Sequence, residues 1–250
     1  KGWEAWLEHL GSRLQPKPLV RLLHTKNSPV AWAAGRIGTS TTLDEHLDIL
    51  QRLCRGKSVS AAVVEAVVKD FLESTDDSPA AALEYIAWSH ALAPLAERTR
   101  AETWWKVLDK LIDKALDADY IKLDETPLEH QLFAGELRLS LAYNFPEITI
   151  IRGLINPARR ALSEGPDFLL DGEGLPHAAL LPLMRPLLAC WTRCMAMGRT
   201  MKHGCWNEPA EIQYAWIIRQ AARFTRRDGS QVLDHEGGGA WTAERFQAAM

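Results

Sequence analysis

The stretch from Lys202 to Leu233, KHGCWNEPAEIQYAWIIRQAARFTRRDGSQVL, gathers the residue types that could do chemistry in this sequence. His203 contributes an imidazole whose unperturbed pKa lies near neutrality, so it can give or take a proton. Trp206 and Tyr214 add aromatic faces, which stack on the apolar faces of sugar rings as well as on each other. An Asp-Gly-Ser step at 228–230 follows the helical run. Collected in one groove, such residues would suit acid–base catalysis.

The order of these residues resembles a segment of the α/α-toroid polysaccharide lyases of the alginate lyase and heparinase II/III type. In that family an Asn-His-Gly step precedes a helix that ends in an Asp-Gly-Ser turn. His203-Gly204, Trp206 and Asp228-Gly229 match this order, while Lys202 replaces the asparagine. The resemblance implies that His203 neutralises the uronate or relays protons during β-elimination. It also implies that a later tyrosine is the base or the acid.

Elimination across a uronic acid requires a group that offsets the carboxylate charge, a base beside it and a donor to the leaving oxygen. The candidate catalytic residues are His203 and Tyr214, the nearest tyrosine. The candidate substrate-binding residues, which supply a stacking face or positive charge for an acidic sugar, are Trp206, Arg219, Lys202 and Arg199. In the alternative, His203 caps the long apolar helix, with Gly204 in the left-handed position after it. Asp228-Gly229 is then only a turn.

Two acidic clusters in glycine-rich loops offer a different chemistry. In DGEGLPH, Glu173 and His177 stand four residues apart and could form an acid–base couple, although a loop before a helix explains them equally well. The second cluster, at residues 234–236, precedes three glycines. A glycoside hydrolase on the same toroid, pairing Glu173 with Asp228 or Glu236, is therefore a further alternative.

The four cysteines are too few for a disulfide scaffold in a chain of 250 residues. Cys190, Cys194 and Cys205 form C-x3-C-x8-H-x-C with His203, which is a set of potential zinc ligands. Structural zinc sites use tighter knuckles on turns, so we expect no metal and no other cofactor. Cys190 and Cys194 are expected to be small, reduced core residues on one helix face.

Composition limits the partners of the chain. A net charge of -3, with 29 basic against 32 acidic residues, gives no long-range attraction to nucleic acid. The longest apolar run, at 178–198, is interrupted by Arg185, Arg193 and two prolines. It therefore predicts a buried helix and no membrane span.

The elements that must position these residues are predicted to be helices throughout. Capping boxes at Thr42 and Thr99, and serine–proline or threonine–proline starts at Ser78 and Thr126, each precede an apolar pattern of helical period. The β-branched stretch at 147–155 is predicted to be an ordered connection. The pattern indicates an all-α fold of antiparallel helical hairpins that form an (α/α) toroid or an incomplete toroid.

The helix that follows Thr99 places six apolar residues on one face, Trp104, Val107, Leu108, Leu111, Ile112 and Ala115. Trp104 and Trp105 point about 100° apart on it, so one of them should face outward as a sugar platform or a contact to another domain.

Residues 1–250 are expected to form a single helical toroid-like domain of a longer protein. The lyase resemblance implies an acidic polysaccharide as partner, a β-rich domain C-terminal to this one, and a periplasmic or secreted location. The rival hypothesis is a non-catalytic helical interaction or scaffold domain. In that case most of the ten tryptophans are simply core residues.

Overall fold

The computed structural model describes residues 2–32, 37–38, 40–232 and 241–250. Within these ranges, 70% of the residues are helical and no strand occurs. Two isolated bridges, Leu170 with Pro176 and Thr225 with Gln231, are the extended pairings of the described chain. The predicted all-α class is confirmed, and the arrangement of the helices as an (α/α) toroid or an incomplete toroid stays a prediction.

The helices follow one another with short connections. The α-helices are α1 (Gly2–Ser12), α2 (Leu19–Leu22), α3 (Thr41–Cys54), α4 (Ala61–Glu73), α5 (Pro79–Ala96), α6 (Ala101–Asp117), α7 (Pro127–Glu129), α8 (Arg138–Asn144), α9 (Thr149–Gly153), α10 (Ile155–Leu169), α11 (Met184–Gly198), α12 (Glu208–Arg223) and α13 (Ala243–Ala249). A π-helix (His130–Leu137) joins α7 to α8. Short 3-10 helices occupy Pro29–Ala31, Ala118–Tyr120 and Ala178–Leu183.

Side-chain caps begin four of the longer helices. Each cap accepts a hydrogen bond from the backbone N–H three residues further on, which satisfies a donor that the first turn leaves without an intrahelical partner. The capping residues are Ser40, Ser60, Ser78 and Asn207. The predicted start at Ser78 is thereby confirmed.

The two predicted capping boxes are wrong. Ser40 caps α3, and Thr42 lies inside that helix. Thr99 donates its hydroxyl to the carbonyl oxygen of Leu95 at 3.1 Å. The residue before α6 is Arg100, which makes no side-chain cap. Each threonine thus matched the sequence pattern of a capping box, but a neighbouring residue, Ser40 or Arg100, occupies the N-cap position.

α11 lies at the centre of the fold, because every residue from Met184 to Gly198 is buried. α5 is nearly as enclosed, with buried residues on all of its sides. Helices that are buried all round form the core of a domain. α3 and α6 pack against α5, while the π-helix and α12 pack against α11. The predicted buried helix in the apolar run at 178–198 is confirmed for residues 184–198, whereas Ala178–Leu183 form a 3-10 helix without buried residues.

The π-helix carries polar side chains into this core. Gln131 donates from Nε2 to the carbonyl oxygen of Ala161 at 2.9 Å and accepts from Nε1 of Trp191 at 2.8 Å. Gly165 of α10 leaves room for this amide, since a Cβ added there would lie 2.3 Å from the Gln131 Oε1. Widened helical turns of this kind are frequent at functional sites.

The stretch at 147–155 contains α9 and the first residue of α10. It is therefore partly helical and not merely a connection.

None of the helices in the described ranges combines the length and the apolar character needed to cross a bilayer.

Candidate functional site

Two of the predicted site residues meet in the core. Tyr214 and Trp206 are buried, and their rings pack with centroids 5.0 Å apart. The Tyr214 hydroxyl lies 2.9 Å from the carbonyl oxygen of Ala249 and 3.0 Å from Oγ1 of Thr192. Burial raises the pKa of Tyr214 above its ordinary value. This tyrosine is therefore bonded inside the fold, and its hydroxyl does not face solvent.

The other four predicted residues are exposed. Lys202 and His203 lie in the turns between α11 and α12. The capping alternative for His203 is wrong, because α11 already ends at Gly198. Arg199 donates to the carbonyl oxygen of Met250 at 3.2 Å. The guanidinium of Arg219 lies 4.6 Å from the centroid of the Trp216 ring.

None of these six residues lines either of the two described cavities. The structure brings together only the two aromatic residues, in the core. The catalytic and substrate-binding roles assigned from the sequence stay predictions.

The acidic loops are turns held by their own side chains. Asp171 accepts backbone N–H bonds from Glu173 and Leu175 at 2.9 and 2.8 Å. Asp228 accepts from the backbone of Ser230 at 2.9 Å, next to Gly229 with its φ of 83°. The turn interpretation of 228–230 is thereby confirmed. The cluster that includes Glu236 lies outside the described residues.

A cavity of about 530 Å³ lies between the N-terminal helices and α5. Its apolar wall comes from α1, α2, α3 and the 3-10 turn at 29–31, and includes Leu7, Leu10, Leu19, Val30, Leu47 and Leu50. Its polar lining includes Arg13, His90 and Asn144. The cavity is thus mainly apolar, with a few polar groups, which is the usual make-up of a small-molecule site.

The protonation of His90 follows from its neighbour. Nδ2 of Asn144 donates to the backbone carbonyl oxygen of Ser140 at 2.8 Å, which fixes the orientation of the amide. The same Nδ2 lies 3.1 Å from Nδ1 of His90, so that Nδ1 must accept. Burial, with the positive charge of Arg193 as a second cause, lowers the His90 pKa to about 4. His90 is therefore neutral at pH 7, with its proton on Nε2.

Arg13 is held at the cavity by two contacts. Its Nη1 donates to Oε1 of Glu147, and its guanidinium lies 5.0 Å from the centroid of the Phe145 ring. The Arg13 side chain is only 10% exposed. Nε and Nη2 of Arg13 are buried and have no hydrogen-bond partner in the described chain, and the same holds for Nε2 of His90. Three donors of residues that line the cavity are thus unused in the described chain, and each is enclosed by protein atoms with almost no accessible surface.

One trio of potential metal ligands exists among the described residues, Glu136, Cys190 and Cys194. Both Glu136 oxygens are taken by Arg193, whose charge would oppose a cation. Burial raises the pKa of the Cys190 and Cys194 thiols, which keeps them protonated. The donor set therefore does not fit a metal ion. Both cysteines are free and buried, as expected of core residues.

The sequence analysis missed the residues of this cavity. His90 did carry a signal, since it is the only histidine in the largely apolar run AAALEYIAWSHALAPLA. Arg13 carried none, because its burial depends on Glu147, 134 residues away. Its position is a product of tertiary packing alone.

Comparisons with protein-family models, with curated proteins and with solved structures found no match. The chain is therefore classified by its own fold and cavity. It is an all-α domain with a mainly apolar cavity that is lined in part by a half-buried arginine and a half-buried, neutral histidine.

Proposed function

We propose that this chain is a helical ligand-binding domain, and that a small molecule with an apolar body occupies the cavity between α1, α2, α3 and α5. The observation that carries the proposal is the cavity itself, about 530 Å³ with an apolar wall and polar groups that include Arg13 and His90. Sites for small molecules have about 300–1,000 Å³ and this balance of groups.

The apolar wall supports the same conclusion. The cavity is partly open to solvent, so its leucine-rich wall faces water when no ligand is bound. A ligand that covers this wall removes apolar surface from water and thereby stabilises the folded chain. The proposal is a variant of the non-catalytic hypothesis in which the helical domain binds a small molecule. None of the six residues assigned to a lyase site takes part in it.

Binding of Nile red, a neutral dye whose emission rises in apolar surroundings, tests the proposal. Ala93 lines the cavity and Ala80 does not, while both are half-buried in α5. We expect Ala93→Phe to weaken dye binding at least about ten-fold by filling the space, and Ala80→Phe to leave it unchanged. A saturating ligand at about 100 times its Kd should also raise Tm by about 5–10 °C.

Equal dye binding by the parent chain and both variants would show that the dye sits elsewhere. No binding by the parent chain would likewise overturn the proposal. Because Ala93→Phe adds volume to an existing space, thermal unfolding should show it to be no less stable than Ala80→Phe. This comparison separates a filled cavity from a damaged fold.

A further inference from the structure

One side of α6, together with the 3-10 helix that follows it, carries a surface that is both acidic and apolar. Its members, here called the α6 face, are Trp105, Asp109, Asp113, Leu116, Asp117 and Tyr120. At about 100° per residue they fall within about 120° of one another around the helix axis. All of them are exposed, and the face is about 22 Å long at a rise of about 1.5 Å per residue.

The lysines of α6 do not neutralise this face. Lys110 turns inward and donates its ammonium to backbone carbonyl oxygens at the end of α4, at 2.5 Å. Lys114 pairs with Asp77, and Lys106 pairs with Glu102. The three aspartates of the face form no ion pair with any residue that the structure describes. The helix therefore directs its lysines toward other groups and leaves its aspartates facing solvent.

This arrangement opposes the stability of the free chain in two ways. Asp109, Asp113 and Asp117 are spaced four residues apart, so each carboxylate lies one turn from a like charge. Asp117 is also the last residue of α6, where the negative end of the helix dipole disfavours an anion. A nearby cation relieves both effects. The charges of the face are therefore complementary to a cationic partner.

The apolar members of the face give such a partner its points of contact. Tyr120 is 86% exposed, Leu116 43% and Trp105 40%. The Trp105 ring is held edge-on against Trp104, with the two centroids 4.8 Å apart. Rigid aromatic side chains of this kind are common binding hot spots. A second helix that packs alongside α6 would meet all three apolar side chains and the aspartates between them.

Other partners fit this face less well. Nucleic acid and an anionic membrane surface both carry negative charge, which three carboxylates repel. A second copy of this chain would bring the aspartates opposite one another, because a two-fold interface pairs one patch with itself.

We infer that the α6 face is a docking surface for a basic amphipathic helix of a partner protein. Lysine or arginine side chains of that helix lie on the three aspartates, and its apolar side chains pack against the three apolar members of the face. The surface is separate from the proposed ligand site, because no residue of α6, which is described throughout, lines the cavity. The inference is therefore independent of the proposed function.

Binding of a fluorescein-labelled peptide, followed by fluorescence anisotropy, tests the inference. The probe is a peptide of about 15 residues in which a helix places lysine and leucine on opposite faces. At about 150 mM salt, where charges beyond about 8 Å are largely screened, we expect a Kd below about 50 µM. A peptide with glutamate in place of lysine should not bind. A peptide with serine in place of leucine should bind at least about ten-fold more weakly.

Matched charge variants assign the binding to the α6 face. The first neutralises its aspartates by Asp109→Asn, Asp113→Asn and Asp117→Asn. The control neutralises three exposed acidic residues of α3 by Asp44→Asn, Glu45→Gln and Asp48→Asn. The first variant should bind the peptide at least about ten-fold more weakly, and the control should stay within about two-fold of the parent chain. Because like charges disappear, the first variant should also raise Tm by about 1–3 °C, which separates lost binding from a damaged fold.

Matched apolar variants test the contact points. Leu116→Ala with Tyr120→Ala removes two of them and should weaken peptide binding at least about five-fold. Phe168→Ala with Ile212→Ala removes two exposed apolar side chains of α10 and α12, and should leave the affinity unchanged.

The inference is overturned if the lysine–leucine peptide does not bind the parent chain, or if it binds the triple aspartate variant equally well. An equal loss of affinity in the α3 control would also contradict it, because the attraction would then be a property of the whole surface. Equal binding of the glutamate–leucine peptide would show that charge takes no part. If phosphatidylcholine vesicles bind through Leu116 and Tyr120 while the peptide does not, the face is a membrane contact instead.

Discussion

Arg193 of α11 binds both carboxylate oxygens of Glu136 in the π-helix, with Nε 2.5 Å from Oε1 and Nη2 2.7 Å from Oε2. The two side chains are 1% and 0% exposed. Nη1 of Arg193 also donates to the carbonyl oxygen of Pro29 at 3.0 Å, beside the cavity. The ion pair thus joins the central helix to the π-helix and to the N-terminal segment. Since both charges are desolvated, each depends on the other.

Arg193→Met should lower the free energy of unfolding by about 3–5 kcal/mol, because it leaves the Glu136 carboxylate buried and unpaired. Urea unfolding followed by far-ultraviolet circular dichroism measures the loss. The double variant Arg193→Met with Glu136→Leu should recover most of it, since no lone charge remains. A single variant that loses less than about 1 kcal/mol, the range of an exposed pair, would contradict the prediction.

His90 should make stability depend on pH. Its pKa is about 4 in the folded chain and 6.5 ordinarily. Below pH 6.5 the unfolded state binds the proton first, so the stabilisation is fully present above pH 6.5 and is lost as the pH falls toward 4. These values predict a loss of about 2 kcal/mol between pH 7 and pH 5.

The control for that pH dependence is His90→Gln, which removes this titration and leaves the other histidines in place. The difference between the parent chain and the variant isolates His90, because burial also lowers the pKa of His130. Urea midpoints at pH 7 and pH 5 supply the measurement. Parallel pH profiles for the two proteins would refute the assignment.

The lyase prediction remains testable at His203 and Tyr214. If the chain cleaves alginate or a glycosaminoglycan, His203→Ala should abolish the rise in absorbance of the unsaturated uronate. The exposed position of His203 predicts that Tm stays within a few degrees. Tyr214→Phe should instead cost about 1–2 kcal/mol of stability, because a buried hydrogen bond is lost. Cleavage that survives His203→Ala would remove this residue from the mechanism.

Two helical glycines should respond oppositely to alanine. At Gly165 a Cβ would lie 2.3–2.6 Å from the buried amide of Gln131, so Gly165→Ala should destabilise the chain by about 1–3 kcal/mol. At Gly153 nothing lies within 4 Å, and Gly153→Ala should be neutral or stabilise by about 0.4–1 kcal/mol. Thermal unfolding of both variants distinguishes them. Equal effects would show that the Gln131 amide moves aside at little cost.

Local periodicity was enough to predict most of the long helices and the buried face of α6. The predicted apolar face of α6 is the buried one, and it includes Trp104, Val107, Leu108, Leu111, Ile112 and Ala115. Trp105, about 100° away, is 40% exposed, which confirms that one member of the tryptophan pair faces outward. These features depend on neighbours within a few residues, so the sequence alone contains them.

The capping errors show where local patterns stop being sufficient. Ser40 and Thr42 both carry a hydroxyl that can accept a backbone hydrogen bond, and in the structure it is Ser40 that accepts from the N–H of Leu43. A capping pattern predicts that a helix begins near it, without distinguishing between adjacent hydroxyl residues.

The assembly of a site was decided only by the tertiary structure. The six residues chosen for their chemistry are neighbours in sequence, yet Tyr214 is buried and His203 is exposed. Arg13, His90 and Asn144 come from three distant segments and line one cavity. Residue type and spacing record what a side chain can do. Which side chains share a cavity depends on how helices far apart in the chain pack, because desolvation and unsatisfied hydrogen bonds arise only when those surfaces meet.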